Sequence, residues 1–166
     1  MKCLLKIKTN PISTNSAYFS RNKSFNEKSR AWRGNFLSQL QSDYNKAQIE
    51  KLRSFDPKLH MLKVVFTWFQ PIDTILTKSG TLSLRSMDVD NLLKIPTDCI
   101  FDSKYNTKWL GLRKSRELKY YTCDTLFNVN INDKFIYSTT SIKAPSDDGD
   151  FHCHCLITIE ALYPPQ

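Results

Sequence analysis

The chain has 166 residues, of which 40% are hydrophobic and 12% aromatic, so it can bury the core of one domain. Its apolar runs fall short of the roughly 18 residues of a membrane span, and its first residues lack the apolar segment of a signal peptide. Composition therefore disfavours membrane-embedded and secreted proteins, and we expect a cytoplasmic protein that contacts no membrane.

The net charge of +8 is unevenly distributed. Residues 1–60 contain twelve Lys and Arg residues against four acidic ones, whereas residues 61–166 contain twelve of each. A basic region separate from a group of carboxylates is suited to a polyanionic partner and to a bound cation. A basic protein with no such partner is an equally simple interpretation of the composition alone.

The first third of the chain predicts a strand, a loop and a helix. Lys and apolar residues alternate over residues 2–8, which predicts an edge or half-buried strand. Residues 11–23 are rich in Ser, Thr and Asn, as is typical of a loop, and include Arg21 and Lys23.

The helix is predicted to begin near Ser24 or Asn26 and to continue past Gln41. Its spacing places one group of residues inward and a polar group outward, which gives a basic face suited to phosphates. The inward group is Ala31, Phe36, Leu37 and Leu40, and the outward group is Lys28, Arg33 and Gln39.

The rest of the chain predicts further strands and one short helix. β-Branched and aromatic residues predict a strand over residues 61–69, and alternation predicts another over residues 81–90. A short helix should follow, with Asp90 or Asn91 near its N-cap and a bend or delay at Pro96. Closing strands are predicted at residues 125–131, or slightly later, and 152–162, with a turn at 143–150.

Asp88 and Asp90 are the most informative pair of residues. Acids at i and i+2 in an extended chain point to the same side, where a divalent cation would relieve their repulsion. Mg²⁺ is commonly held by one or two carboxylates, with water or phosphate oxygens in its other positions. Lys94 would project from the next helical turn towards a scissile phosphate. A simpler interpretation also stays open, in which one Asp caps the helix and the other is solvated.

The segment resembles the RusA family of Holliday-junction resolvases, whose pattern is an aspartate pair followed by Asn-Leu, Lys and a further Asp. These positions are occupied by Asp88, Asp90, Asn91, Leu92, Lys94 and Asp98. The N-terminal strand, loop and helix fit the family plan as well. The resemblance implies a single α/β (α+β) domain over residues 1–166, in which helices pack on a small mixed sheet. Insertions are expected near residues 42–58, 72–82 and 102–122.

The resemblance also implies a third metal-binding acid at the start of a following strand. The best match is Asp124, although this chain has Cys123 where the family has another acid, and the spacing from Asp98 is longer. Asp102 is the alternative ligand. The implied site holds Mg²⁺, or Mn²⁺ in its place, through Asp88, Asp90 and Asp124.

The activity implied is hydrolysis of a DNA phosphodiester, in which Lys94 stabilises the phosphate and Asn91 and Asp98 have supporting roles. The implied substrate is a four-way junction, cut by paired nicks in a homodimer inside a bacterial or phage-infected bacterial cell. The expected DNA contacts are Arg21, Lys23, Arg113, Lys114 and Arg116. Two other hypotheses stay open: a non-catalytic DNA-binding relative with a degraded metal site, and a flap or fork nuclease.

The motif His152-Cys153-His154-Cys155 suggests zinc at first sight. Alternation along a strand would instead place both His on one face and both Cys on the other. We therefore predict buried, reduced thiols and exposed imidazoles. The acidic stretch 147–150 is predicted to be a solvated turn, since it lacks the spacing of a calcium loop.

Overall fold

The computed structural model describes residues 1–12, 23–83, 88–101, 131 and 133–163, without the side chains of residues 23–26. The strands are β1 (Lys2–Ile7), β2 (His60–Gln70), β3 (Ile136–Pro145) and β4 (His152–Ala161). The α-helices are α1 (Lys23–Leu40), α2 (Asp43–Glu50), α3 (Ile72–Ile75) and α4 (Lys94–Phe101). Short 3-10 helices cover Lys51–Ser54, Asp90–Leu92 and Asp133–Phe135.

These strands form one mixed sheet in the order β1-β4-β2-β3. β4 lies antiparallel to both β1 and β2, whereas β3 lies parallel to β2. A parallel pair requires a crossover connection, and the described part of this connection contains α3 and α4. A small mixed sheet with helices packed on it confirms the predicted α+β fold class.

One face of the sheet forms the core, and the other carries half-buried and exposed side chains. The alternation of strand side chains produces this division, because every second residue points to the same face. Burial of each large apolar side chain contributes roughly 1.5–3 kcal/mol. The fully buried residues of the two central strands are Leu62, Val64, Phe66, Trp68, Cys153, Cys155 and Ile157. Phe36, Leu37 and Leu40 of α1 pack in the same cluster.

The outer edge of β1 is covered by side-chain amides from two helices. The Asn45 amide accepts a hydrogen bond from the Lys6 backbone N–H (2.9 Å) and donates one to the Lys6 carbonyl (2.9 Å). Gln39 makes the same pair of bonds with Lys8 (2.6 and 2.7 Å), and Gln48 accepts from the Leu4 N–H (3.3 Å). The amides thus bond to alternate residues as a further strand would, and they satisfy an edge that could otherwise pair with another chain.

Several sequence predictions are confirmed here. β1 is an edge strand, β2 and β4 lie close to their predicted ranges, and α1 begins within a few residues of the predicted start. That residues 42–58 and 72–82 are insertions stays a prediction. The first region contains α2, and the second contains α3 followed by a turn in which Gly80 has a φ of +78°. Among the described helices, none combines the length and hydrophobicity needed to cross a membrane.

The strand predicted over residues 81–90 is wrong for the residues described there. Leu82 forms an isolated bridge with Leu76, and Asp90 already belongs to a 3-10 helix. Both sides of β2 are taken by β4 and β3, so the sheet offers this segment no place beside β2. The closing strand β3 begins at Ile136, later than the predicted range of 125–131 or slightly later, of which only residue 131 is described.

The predicted inward and outward faces of α1 are wrong for two residues. Ala31 is exposed, and Arg33 is completely buried rather than part of a basic outer face. Arg33 lies three and four residues before Phe36 and Leu37, so helical spacing places all three on one stripe. The charge of Arg33 predicts an exposed position, but its spacing along the helix places it with the buried residues.

We predict that Asn45→Ala destabilises the fold by roughly 3 kcal/mol, because it leaves three buried backbone groups without their partner. Urea unfolding of the purified variant measures this. Lys46→Ala, at an exposed position on the same helix, is the matched control and should change the free energy of unfolding by less than about 0.5 kcal/mol. Equal effects of the two substitutions would contradict the role assigned to the amide.

Candidate active site

Residues 88–101 contain the 3-10 helix Asp90–Leu92 and then α4. Val89, not Asp90 or Asn91, is the N-cap of the 3-10 helix Asp90–Leu92, and its side chain makes no capping bond. Pro96 lies in the first turn of α4, where backbone N–H groups have no partner within the helix. It therefore delays the α-helix to Lys94 without breaking it, as predicted, and the N-cap Val89 is the residue next to the predicted Asp90.

Asp88 and Asp90 point into different cavities. Val89 between them has helical dihedral angles (φ −65°, ψ −33°), so the pair is not extended and the predicted same-side arrangement is wrong. Asp88 lines a cavity of about 580 Å³ with Ser141 and Lys143 of β3. Asp90 lines a neighbouring cavity of about 320 Å³ beside α4.

The cavity at Asp90 brings together residues from two distant parts of the chain. Lys94, Thr97 and Asp98 of α4 form one wall. Asp133 and Thr139 form the other, from the 3-10 helix Asp133–Phe135 and from β3. That 3-10 helix contacts α4, and the Phe135 ring packs against Phe55, with ring centroids 5.3 Å apart. This aromatic contact fixes the turn that carries Asp133. The cavity is therefore acidic on both sides and has one cation at its rim.

Asp133 is the functional candidate that the sequence prediction missed. The resemblance predicts an acid at the start of a strand that follows α4, and Asp124 is its best match. Asp133 begins the 3-10 helix that leads directly into β3 at Ile136, so it meets the same positional requirement. The alternating residues from Ile136 onwards would have been the signal. Asp124, Cys123 and Asp102 lie outside the described residues.

Lys94 and Asp98 form the predicted pair across one helical turn. Lys94 Nζ donates to Asp98 Oδ1 at 3.4 Å. The Asp98 side chain is only 6% exposed, whereas that of Lys94 is 62% exposed. A fixed, buried carboxylate thus holds the end of a flexible cation at the rim of the cavity, where an anion from solvent can approach it.

A buried charge lies behind this pair. Arg33 Nη1 donates to Cys99 Sγ at 3.6 Å, which joins α1 to α4. Burial, with a smaller contribution from Asp98, raises the pKa of Cys99 to about 12, although Arg33 opposes the shift. The thiol therefore remains protonated at neutral pH. Because Arg33 is fully buried, it serves packing and local electrostatics, and the predicted basic face of α1 does not include it.

The donors at the cavity fit a magnesium ion held by few protein ligands. Asp90 and Asp133 are both exposed and line one space, and Mg²⁺ is commonly bound through one or two carboxylates with water completing its shell. Among the described residues, no three His, Cys, Asp or Glu side chains form a group that could hold a metal ion. The three-carboxylate site predicted from the sequence includes Asp124 and so extends beyond these residues.

Of the five predicted DNA contacts, four lie outside the described residues. Arg21, Arg113, Lys114 and Arg116 are outside the described residues, and only the backbone of Lys23 is described, at the start of α1.

Two other signals have structural explanations. His60 Nδ1 accepts a hydrogen bond from the Asp56 backbone N–H (3.0 Å) beside the start of β2. The acidic turn is closed by Asp148, which accepts from the Asp150 N–H (3.0 Å), and by Gly149 at a φ of +73°. Cys153 and Cys155 are fully buried, as predicted.

No protein-family model matches the chain, and no curated protein matches it. The arguments for function below therefore start from the residues and the geometry of the cavity.

We predict that Asp98→Asn destabilises the protein by about 2 kcal/mol, because its buried carboxylate accepts a charged hydrogen bond. Lys94→Met should cost less than about 1 kcal/mol, because the ammonium group is largely solvated in either state. Thermal and urea unfolding of both variants measure the difference. A larger loss for Lys94→Met would show that the cation, and not the carboxylate, anchors the pair.

Proposed function

We propose that the protein is a divalent-metal-dependent endonuclease that cuts branched DNA, with the four-way junction as its substrate. The observation that carries the proposal is the convergence of Asp90 and Asp133 on one cavity whose rim bears the Lys94–Asp98 pair. Two carboxylates for a cation beside a lysine for a phosphate form the minimum set for metal-assisted hydrolysis of a phosphodiester.

Each residue has a distinct task in this proposal. Asp90 and Asp133 hold the metal, and the junction phosphate occupies the opening between them and Lys94. A bound Mg²⁺, or Mn²⁺ in its place, would supply an activated water and neutralise the charge that develops on the phosphate oxygens. Lys94 shares that charge from the other side, and Asp98 positions its ammonium group. Asn91, half-buried next to Asp90, supports this turn.

Asp88 and Asp124 complete the proposed set in different ways. Asp88 lies one cavity away, and a change in the backbone angles of Val89 would turn it towards Asp90. Asp124 remains the ligand predicted by the resemblance to RusA resolvases, and Asp133 is the acid that the described cavity favours for the same task.

The substrate and assembly follow from the chemistry of junctions. Two symmetric nicks require two identical sites, which a homodimer with twofold symmetry provides. Recognition of a branched duplex depends mainly on phosphate contacts, for which the basic first third of the chain and the predicted contacts Arg113, Lys114 and Arg116 are suited.

A non-catalytic DNA-binding relative is the second candidate. The observation in its favour is that Asp88 and Asp90 occupy separate cavities, so a cation bound beside Asp90 and Asp133 lacks Asp88 as a ligand. Junction binding without cleavage in either Mg²⁺ or Mn²⁺ would establish this alternative. Cleavage of a flap or fork in preference to a junction would instead favour the third hypothesis.

The central test is nicking of a synthetic four-way junction. We expect Mg²⁺-dependent nicking, and we expect Asp90→Asn and Asp133→Asn each to lower its rate by about a hundredfold or more, because each removes a charged ligand. Asp43→Asn, at an exposed acid on α2, is the matched control and should leave the rate unchanged. Full activity of Asp133→Asn together with loss of activity in Asp124→Asn would return the third ligand to Asp124.

Metal binding provides a readout separate from activity. Titration calorimetry with Mn²⁺ should show weaker binding to Asp133→Asn than to the wild-type protein or to Asp43→Asn. Equal affinity in all three proteins would exclude Asp133 as a ligand even if nicking were lost for another reason.

The predicted contacts at Arg113 and Lys114 are tested by reversing both charges to Glu. If each neutralises one phosphate, the variant should bind junction DNA more weakly, and the slope of log affinity against log salt should fall by about 2. The control is Lys78→Glu, a charge reversal at an exposed residue outside both the basic first third and the predicted contacts, which should leave junction affinity unchanged. Unchanged junction affinity across salt would remove Arg113 and Lys114 from the DNA-binding surface.

A further inference from the structure

Three rings lie together on the sheet face turned away from the buried core. Phe69 is on β2, and His152 and His154 are on β4; these are the two central strands. The Phe69 ring stacks on His152 with centroids 4.6 Å apart and an interplanar angle of 15°. It meets the edge of His154 at 4.8 Å, and the two imidazoles are 5.4 Å apart. The cluster is fixed from one side by Phe69, while the His152 side chain remains 25% exposed.

The register places lysines beside these rings on the same face. Lys6 of β1 is the direct cross-strand neighbour of His154. Further along, Lys2 and Lys63 both pair with Thr158, one from each side of β4. Side chains of paired residues point to the same face, so rings at one end of β4 are followed by cations towards the other.

A cavity of about 290 Å³ is lined by both imidazoles and has a basic side and an acidic side. Lys6 lies on one side, and the carboxylates of Asp148 and Asp150 lie near the start of β4. Lys8 pairs with Asp150 at 2.8 Å, which offsets one of the two negative charges. Asp148 lies 4.0 Å from His152 Nδ1.

The protonation state of the His154 imidazole is suited to stacking against a base. Burial, together with the nearby His152 and Lys6, lowers the pKa of His154, so this ring is neutral at pH 7. A neutral, half-buried ring presents a π-face with little hydration to displace. Bases of every type stack on such faces, which is how many proteins bind single strands without reading sequence.

We propose that this face, formed by Phe69, His152, His154 and Lys6, binds single-stranded DNA. Bases stack on the imidazoles, phosphates lie beside Lys6 and the lysines beyond it, and N–H groups of the bases donate to Asp148. The choice of DNA over RNA rests on the proposed nuclease function, whereas stacking and charge are independent of it. The carboxylate cavity lies on the helix side of the sheet, so this is a separate contact, suited to the unpaired bases at a branch point.

The test is fluorescence anisotropy of a labelled oligothymidylate of about 12 nucleotides, measured in EDTA so that no cleavage occurs. The double substitution His152→Ala, His154→Ala should weaken binding by about tenfold or more, since it removes both imidazoles on which bases would stack. His152→Tyr, which keeps a ring at the more exposed position, should bind at least as tightly as the wild-type protein. Circular dichroism verifies that each variant is folded.

Charge-reversal variants distinguish binding at this surface from non-specific attraction between a basic protein and DNA. Lys6→Glu should weaken binding to the oligothymidylate more than Lys46→Glu, which makes the same charge change at an exposed position on α2. Equal affinities for the wild-type protein and the double alanine variant would overturn the proposal. So would equal affinity for a duplex of the same length, because stacking requires unpaired bases.

The outcome is distinguishable from that of the nuclease proposal. Asp90→Asn should retain oligothymidylate binding in EDTA, because Asp90 lies in the other cavity. Absence of junction nicking by the wild-type protein, with intact single-strand binding, would overturn only the nuclease. Intact nicking without single-strand binding would overturn only the stacking surface.

Discussion

β3 pairs with β2 in parallel, and this pairing fixes where Asp133 lies. The register joins Leu62 to Ile136, so the chain must enter β3 from the side on which α4 packs, and the 3-10 helix Asp133–Phe135 contacts that helix. A slip of one residue would move every side chain of β3 to the other face. The packing of Phe135 against Phe55 opposes such a slip, and the proposed active site depends on it because neither acidic segment reaches the other through local sequence.

Buried charge gives the cavity its rigidity. Arg33 on α1 and Asp98 on α4 are both buried, and Cys99 lies close enough to each for its pKa to respond to both. Isolated buried charges are costly, whereas opposite charges with hydrogen bonds offset much of that cost. Asp98 is buried in α4, whereas its partner Lys94 extends into solvent.

In the proposed function, the two faces of the sheet bind different parts of the DNA. The helix side carries the carboxylates and Lys94, where a duplex phosphate can meet a cation. The other side carries rings and lysines on the central strands, where unpaired bases can stack. Branched DNA contains both kinds of structure, so one small domain can hold a branch point by its strands while the cut is made in the adjoining duplex. The amides on the edge of β1 keep that sheet from pairing with another chain through its first strand.

The sequence by itself determined the elements whose signal is periodic. β1, β2 and β4 follow from alternation, the apolar stripe of α1 from helical spacing, and the Lys94–Asp98 pair from one turn of α4, because each depends on residues near one another in the chain. Tertiary structure decided three further points: Asp133 faces Asp90, Arg33 is buried, and Asp88 turns away from Asp90. The first two depend on which elements pack together, and the third on the backbone angles of a single residue. Residue patterns report which side of an element faces the core, but not which distant element lies opposite.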